Sequence, residues 1–173
     1  MLSKRVFTLL AVGWGCVLPI FAVPLAGTAD EMTTIAPTPA ETNNLATHLI
    51  LKLKERKVYV YRDDKVLHKF TVAVGKKGWE TPTGKFQVRE LVRNPVWTNP
   101  WTGQTTPPGP NSALGERWIG FWTDGKNSIG FHGTPTVNSL GKAASHGCVR
   151  MRNSDVKVLF DLVQMGTPVI VQP

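Results

Sequence analysis

The chain has 173 residues, 42% hydrophobic and 18% charged, and carries 20 Lys and Arg against 12 Asp and Glu, a net charge of +8. That length holds one core of ordinary size, which excludes two full domains, and the composition excludes a chain too polar to fold. These averages conceal an apolar start and a polar stretch after it, so the segments are taken in chain order.

Lys4 and Arg5 precede an apolar run from Val6 to about Val23, and Gly27, Thr28 and Ala29 supply small residues before Asp30. This is the pattern of an export signal over residues 1–29. The run is also about long enough to span a bilayer, so an uncleaved anchor stays open, with Pro19 and Pro24 favouring cleavage. Cys16 lacks the aliphatic residue expected before a lipidated cysteine and belongs with the discarded segment. Without Lys4 and Arg5, 18 basic residues face 12 acids, so the mature chain is about +6. No Lys/Arg run with interleaved aromatics stands out, and export turns a basic surface toward anionic wall or membrane polymers before nucleic acid. Residues 30–46 (DEMTTIAPTPAETNNLA) have no apolar period and favour a disordered tether, with the folded domain over 47–173.

Leu49, Leu51 and Leu53 alternate with lysines, Val58 and Val60 alternate with Tyr59 and Tyr61, and Asp63-Asp64 offers turn chemistry, which predicts a hairpin of half-buried strands. Phe70, Val72 and Val74 continue the period of two to Gly75. Phe86, Val88 and Glu90 resume it after the Thr-Pro-Thr-Gly turn at 81–84, giving four strands before residue 92. His48 and His68 sit in strand patterns and are expected on the surface. Five prolines and two glycines between Arg93 and Gly115 forbid a regular element, and a loop of that length is usually functional.

Residues 117–122 and 127–132 predict two strands joined by Asp124-Gly125, the second ending on His132. Val156, Leu159, Phe160 and Val163 stand at helical spacing, with Asn153 or Ser154 as cap, Asp155 in the first turn and Gly166 at the end. Val169 to Val171 form a last strand.

With Cys16 gone, Cys148 is the one cysteine of the exported domain and has no disulfide partner. A thiol kept in an oxidising compartment is either buried and inert or used. FHGT at 131–134 and SHGCVRM at 145–151 surround it with His132, His146 and Arg150, the neighbours that generate a thiolate. Spacing alone leaves the base open between the two histidines; His132 is favoured because it arrives from a separate element. Gly147 would let the backbone approach a substrate, with the N–H groups of His146, Gly147 and Cys148 facing an oxyanion. Ser145 is a turn residue that bonds locally. Zinc held by His132, His146 and Cys148 is a distant alternative, since neither CxxC nor HExxH occurs. Trp97, Trp101, Trp118 and Trp122 either line a groove or pack a loop.

HGT followed by SHGCVRM resembles the signature of the L,D-transpeptidase catalytic domain, the YkuD family. TPTG at 81–84, NPVW at 94–97, PPGPN at 107–111 and LGERWIGF at 114–121 extend the resemblance over roughly 47–173. It implies a mainly β fold, a sandwich or barrel with one C-terminal helix after Cys148, and no metal or cofactor. It further implies that Cys148 attacks the meso-diaminopimelate–D-alanine bond of a peptidoglycan tetrapeptide stem with His132 as base, forming a thioester that an amine resolves; an amine of another stem gives a 3→3 cross-link, and a free D-amino acid or a protein tail are the other acceptors left open. Ser145, His146, Gly147 and Arg150 would bind substrate or support the turn; one form of the motif has Asn where this chain has Arg150. The expected protein is a monomer in the periplasm or cell envelope, touching membrane only through an uncleaved N-terminal segment and binding no nucleic acid. A carboxypeptidase using the same thioester, or a wall-binding module without catalysis, are the alternatives.

Overall fold

The structure is a computed structural model that describes residues 44–99 and 101–173. The expected signal segment, Cys16 and residues 30–43 of the expected tether lie outside the described residues.

Strands β1 (His48–Lys52), β2 (Lys57–Arg62) and β3 (Lys65–Thr71) form an antiparallel meander. Alternation decides which side is buried: Leu49, Leu51, Val58 and Val60 are fully buried, while Ile50 and Tyr59 between them and Lys52 and Lys57 beside them are half-buried on the other side. β3 is one edge, and its largely exposed face, with Lys65, His68 and Lys69, leaves an edge that other strands are slow to extend.

The period of two runs on past β3, but the strand does not. The chain leaves the sheet at Val72, and β4 (Val74–Gly75) pairs elsewhere; likewise the 86–90 alternation divides into β5 (Gly84–Gln87) and β6 (Glu90–Arg93), which belong to different sheets. Six strands therefore begin before residue 92 rather than four. The alternation survives because both sheets face one core, so Val72 and Val88 stay buried at the corners where the chain changes sheet. The Pro-rich segment after Arg93 also holds a short ribbon, β7 (Trp97–Thr98) with β8 (Thr105–Thr106), where no regular element was expected.

β9 (Arg117–Thr123) and β10 (Ser128–Gly133) form the expected hairpin. A 3₁₀ turn (Val137–Ser139) then leads to two strands that the sequence did not announce, β11 (Ala143–Ser145) and β12 (Val149–Met151). Helix α1 (Asn153–Leu162) buries Val156, Leu159 and Phe160 and lies against β9 and β10. Its N-cap is Arg152, with no side-chain cap bond. Asn153 and Ser154 are both already helical, and Asn153 is committed to another bond described below.

The last strand, β13 (Pro168–Gln172), enters between β1 and β5, so the larger sheet runs β3-β2-β1-β13-β5. The second sheet runs β12-β10-β9-β6. Their inner faces share one cluster: Phe86 of β5 meets Phe121 of β9 at 5.7 Å between ring centroids, and Phe121 meets Phe131 of β10 at 5.1 Å. The fold is mainly β with one α-helix among the described residues, as the sequence implied.

Candidate active site

The site grows from one pair of strands. β10 and β12 run parallel with Phe131 opposite Val149 and His132 opposite Arg150. Phe131, Val149 and Met151 are fully buried toward the core, so alternation sends His132 and Arg150 to the other face, and Cys148, two residues before Arg150, emerges at the same place. On the other side of β10, the ladder with β9 slips at Ile129/Gly130, and such a bulge re-aims the strand end beside it.

That face is the floor of a cleft of about 1130 Å³ whose walls include His132, Ser145, His146, Cys148 and Arg150. The structure therefore brings together five of the six residues singled out from sequence. Gly147 lies buried beneath them in the left-handed region at φ 106°.

The turn that presents Cys148 is held by Ser145 and Thr81. The Ser145 hydroxyl donates to the Cys148 carbonyl at 2.5 Å and accepts from the Gly147 N–H at 3.3 Å. Thr81 Oγ1 donates to the Gly147 carbonyl at 2.7 Å and accepts from the Gly75 N–H at 3.0 Å. Gly147 N–H is thus already engaged, which leaves the His146 and Cys148 N–H groups of the three considered for an oxyanion. Thr81 was legible only as part of a turn; its bonding to a residue 66 positions away had no local signal.

His132 is 5% exposed. Its Nδ1 lies 2.7 Å from the Gly133 carbonyl, and since a carbonyl only accepts, Nδ1 carries the hydrogen and Nε2 keeps a lone pair. Burial pushes the imidazole down to about 4, the Gly133 bond opposes this, and the Arg150 charge adds to the fall. The ring is therefore neutral at pH 7. Trp118 of β9, opposite His132 in register, stacks beside it at 6.2 Å and is itself held by Glu90, which accepts its Nε1–H at 2.7 Å.

Cys148 is partly accessible. Its thiol donates to the Ser128 carbonyl at 3.7 Å rather than to either imidazole. Burial pushes the thiol up, against a smaller downward pull from the Gly130 N–H and the Arg150 guanidinium. The resting pair is thus neutral thiol and neutral imidazole. In this resting arrangement the thiol is bonded to backbone, not to an imidazole.

His146 is exposed and separate from this pair. Its ring sits edge-on to Trp79 at 4.9 Å and to Trp101 at 5.3 Å, and burial, with Lys76 and Arg150 nearby, lowers its pKa. Trp79, Trp97, Trp101, Trp118 and Trp122 all line the cleft, which places the four candidate tryptophans in a groove and adds Trp79, which sequence reasoning missed. His48 and His68 are not part of the cleft's lining, and each stacks on a strand neighbour, Tyr61 and Phe70. Among the described residues no three His, Cys, Asp or Glu side chains are grouped to hold a metal ion, which leaves the zinc alternative without a ligand set there.

Comparison with known proteins points the same way as the geometry. The putative L,D-transpeptidase YqjB of Bacillus subtilis is 37% identical over 127 residues, covering 72% of this chain and 70% of that protein. The putative L,D-transpeptidase YkuD of the same organism is 30% identical over 146 residues, 84% of this chain and 78% of that one. Among solved structures, an Enterococcus faecium L,D-transpeptidase C442S mutant superposes with a TM-score of 0.61 at 25% identity, over 73% of this chain and 50% of that chain. The chain thus spans about half the length of that solved relative. The family model for the YkuD L,D-transpeptidase catalytic domain matches residues 46–171, a stretch that holds both sheets but for the last residue of β13, the helix and every residue of the cleft, and the chain belongs to that family.

Proposed function

We propose that this protein is an exported L,D-transpeptidase that cross-links peptidoglycan stems through a thioester on Cys148. The observation that carries this reading is the parallel register of β10 and β12, which gathers an imidazole with a free lone pair, a thiol and a guanidinium on one face of a tryptophan-lined cleft.

Because thiol and imidazole both rest neutral, the proton moves during attack rather than before it. The thiol turns from the Ser128 carbonyl toward His132, Nε2 takes its proton, and Sγ bonds to the carbonyl carbon of the meso-diaminopimelate–D-alanine linkage. The oxyanion is met by backbone N–H groups of the 145–148 turn. The carbon–nitrogen bond breaks, the imidazolium returns its proton to the departing D-alanine amine, and the thioester remains. An acceptor amine from a second stem gives its proton to His132 and attacks the thioester; the new amide is the 3→3 cross-link, and the proton passes back to sulfur. Arg150 holds a substrate carboxylate, and its fixed positive charge opposes protonation of His132. Residues 1–29 direct export to the periplasm or envelope.

Incubation with a carbapenem followed by intact-mass measurement tests nucleophile and base together. We expect one covalent adduct, absent in Cys148→Ala and formed roughly 10²–10⁴-fold more slowly in His132→Ala. An adduct that persists in Cys148→Ala sinks the assignment. Muropeptide products then separate the outcomes: dimers are the transpeptidase result, and tripeptide without dimers would place the enzyme among carboxypeptidases.

A further inference from the structure

The residue whose carbonyl fixes the His132 tautomer is crowded at its Cα by a side chain outside the cleft. Asn153, the first residue of α1, is half-buried and absent from the cleft's lining. Its Oδ1 accepts the Glu116 N–H at 3.2 Å, and its Nδ2 donates to the Pro110 carbonyl at 3.1 Å. The same Oδ1 lies against the Cα of Gly133, so that any side chain at Gly133 would collide with it.

Gly115 closes the other side. It is in the left-handed region at φ 62°, and a methyl there would stand 2.6 Å from Gly133 Cα and 2.7 Å from its carbonyl carbon, besides striking Asn153 Oδ1. Two buried glycines and one amide therefore interlock, and the Gly133 peptide has no room to turn. That peptide's carbonyl is the acceptor for His132 Nδ1. Without a fixed acceptor the neutral ring is free to exchange tautomers, and in the other one the lone pair needed at Nε2 is lost.

We infer that Asn153 is a positioning residue: by locking the Gly133 peptide it holds His132 in the Nδ1–H tautomer that leaves Nε2 free as the base. The inference deepens the proposed function and rests on His132 being the base. It also accounts for a failed cap, because an amide spent on Glu116, Pro110 and Gly133 is not available to the helix N-terminus.

The test uses full-length protein with ¹⁵N-labelled histidine. Imidazole nitrogen shifts report the His132 tautomer directly, the signal being assigned by its loss in His132→Ala, and the rate of acylation by imipenem is read on the same samples. Wild type should show one Nδ1–H tautomer. Asn153→Ala should show a mixture, with acylation slowed about tenfold or more. Asn153→Asp keeps the oxygen that meets Glu116 and Gly133 but cannot donate to Pro110, and should retain the single tautomer. Should Asn153→Ala fail to fold, Asn153→Gln, which displaces the amide by one methylene, should give the mixture instead. A single Nδ1–H tautomer in Asn153→Ala, or in Asn153→Gln where that variant stands in for it, overturns the proposal. So does a mixture in Asn153→Asp as large as in the alanine variant, because the Pro110 tether would then be the working contact. If His132→Ala acylates at the wild-type rate, the base assignment fails, and the tautomer readout still judges Asn153 on its own.

Discussion

The two walls of the cleft are built on opposite terms. On one side His132 and Ser145 are buried, with Thr81 buried behind them, and the side-chain bonds that fix all three end on backbone: Gly133 for the imidazole, Cys148 and Gly147 for Ser145, Gly147 and Gly75 for Thr81. On the other, Trp79 and Trp101 are 49% and 66% exposed, and they reach His146 from the 76–81 segment and from the β7–β8 ribbon. Reacting groups need positions fixed to a fraction of an ångström, so they sit on strand ends backed by the core. Groups that meet the bulk of a substrate gain from room to adjust, and those stand on loops.

By that division, perturbing the first wall should cost stability and chemistry together. The largest effect belongs to His132. Its pKa is depressed from 6.5 to about 4, so between those values the unfolded chain takes up a proton that the folded chain refuses. Its contribution is full above pH 6.5 and is lost as the pH falls toward 4, a change of about 3 kcal/mol. Urea unfolding at pH 7 and pH 4.5 should show this loss in wild type and a smaller one in His132→Gln; an equal loss in both would mean that the ring is not held neutral.

Thr81 comes next. Thr81→Ala strands the Gly75 N–H and the Gly147 carbonyl in a buried place, at about 1–3 kcal/mol, and loosens the turn that carries the thiol. Thermal unfolding and carbapenem acylation should fall together, and Thr81→Ser should restore both. The smallest effect is expected on the second wall. Trp101→Ala should change stability by no more than about 0.5 kcal/mol and raise KM with kcat unchanged. A fall in kcat at constant KM would instead place Trp101 with the chemistry and erase the contrast.

Periodicity made the core legible. Leu49, Leu51, Val58, Val60, Val169 and Val171 are buried where a period of two puts them, and Val156, Leu159 and Phe160 where a helical period does. It could not show that the 70–75 and 86–90 patterns each cross from one sheet to another, because a residue facing a shared core has the same polarity on either sheet. β11 and β12 escaped notice for a different cause: at three residues each they are too short for any period, and their pairing is set by partners at Val74 and Phe131. Cys148, His132 and Arg150 were legible as chemistry in the HGT and SHGCVRM segments. Thr81 and Asn153 were not, since each works through bonds to residues far along the chain, Gly147 and Pro110, that no local pattern announces.

The position of β13 between β1 and β5 has a consequence in time. β1 has β2 on one side, but its other neighbour arrives roughly 120 residues later, which at ribosomal speed is on the order of ten seconds. Until then the larger sheet is missing the plank between β1 and β5, and Leu49 and Leu51 lack Val169 and Val171 beside them. The nascent chain cannot assemble this domain in order of synthesis. The larger sheet closes only once the final strand is available, and a truncation before Pro168 removes the middle of the sheet rather than its fringe.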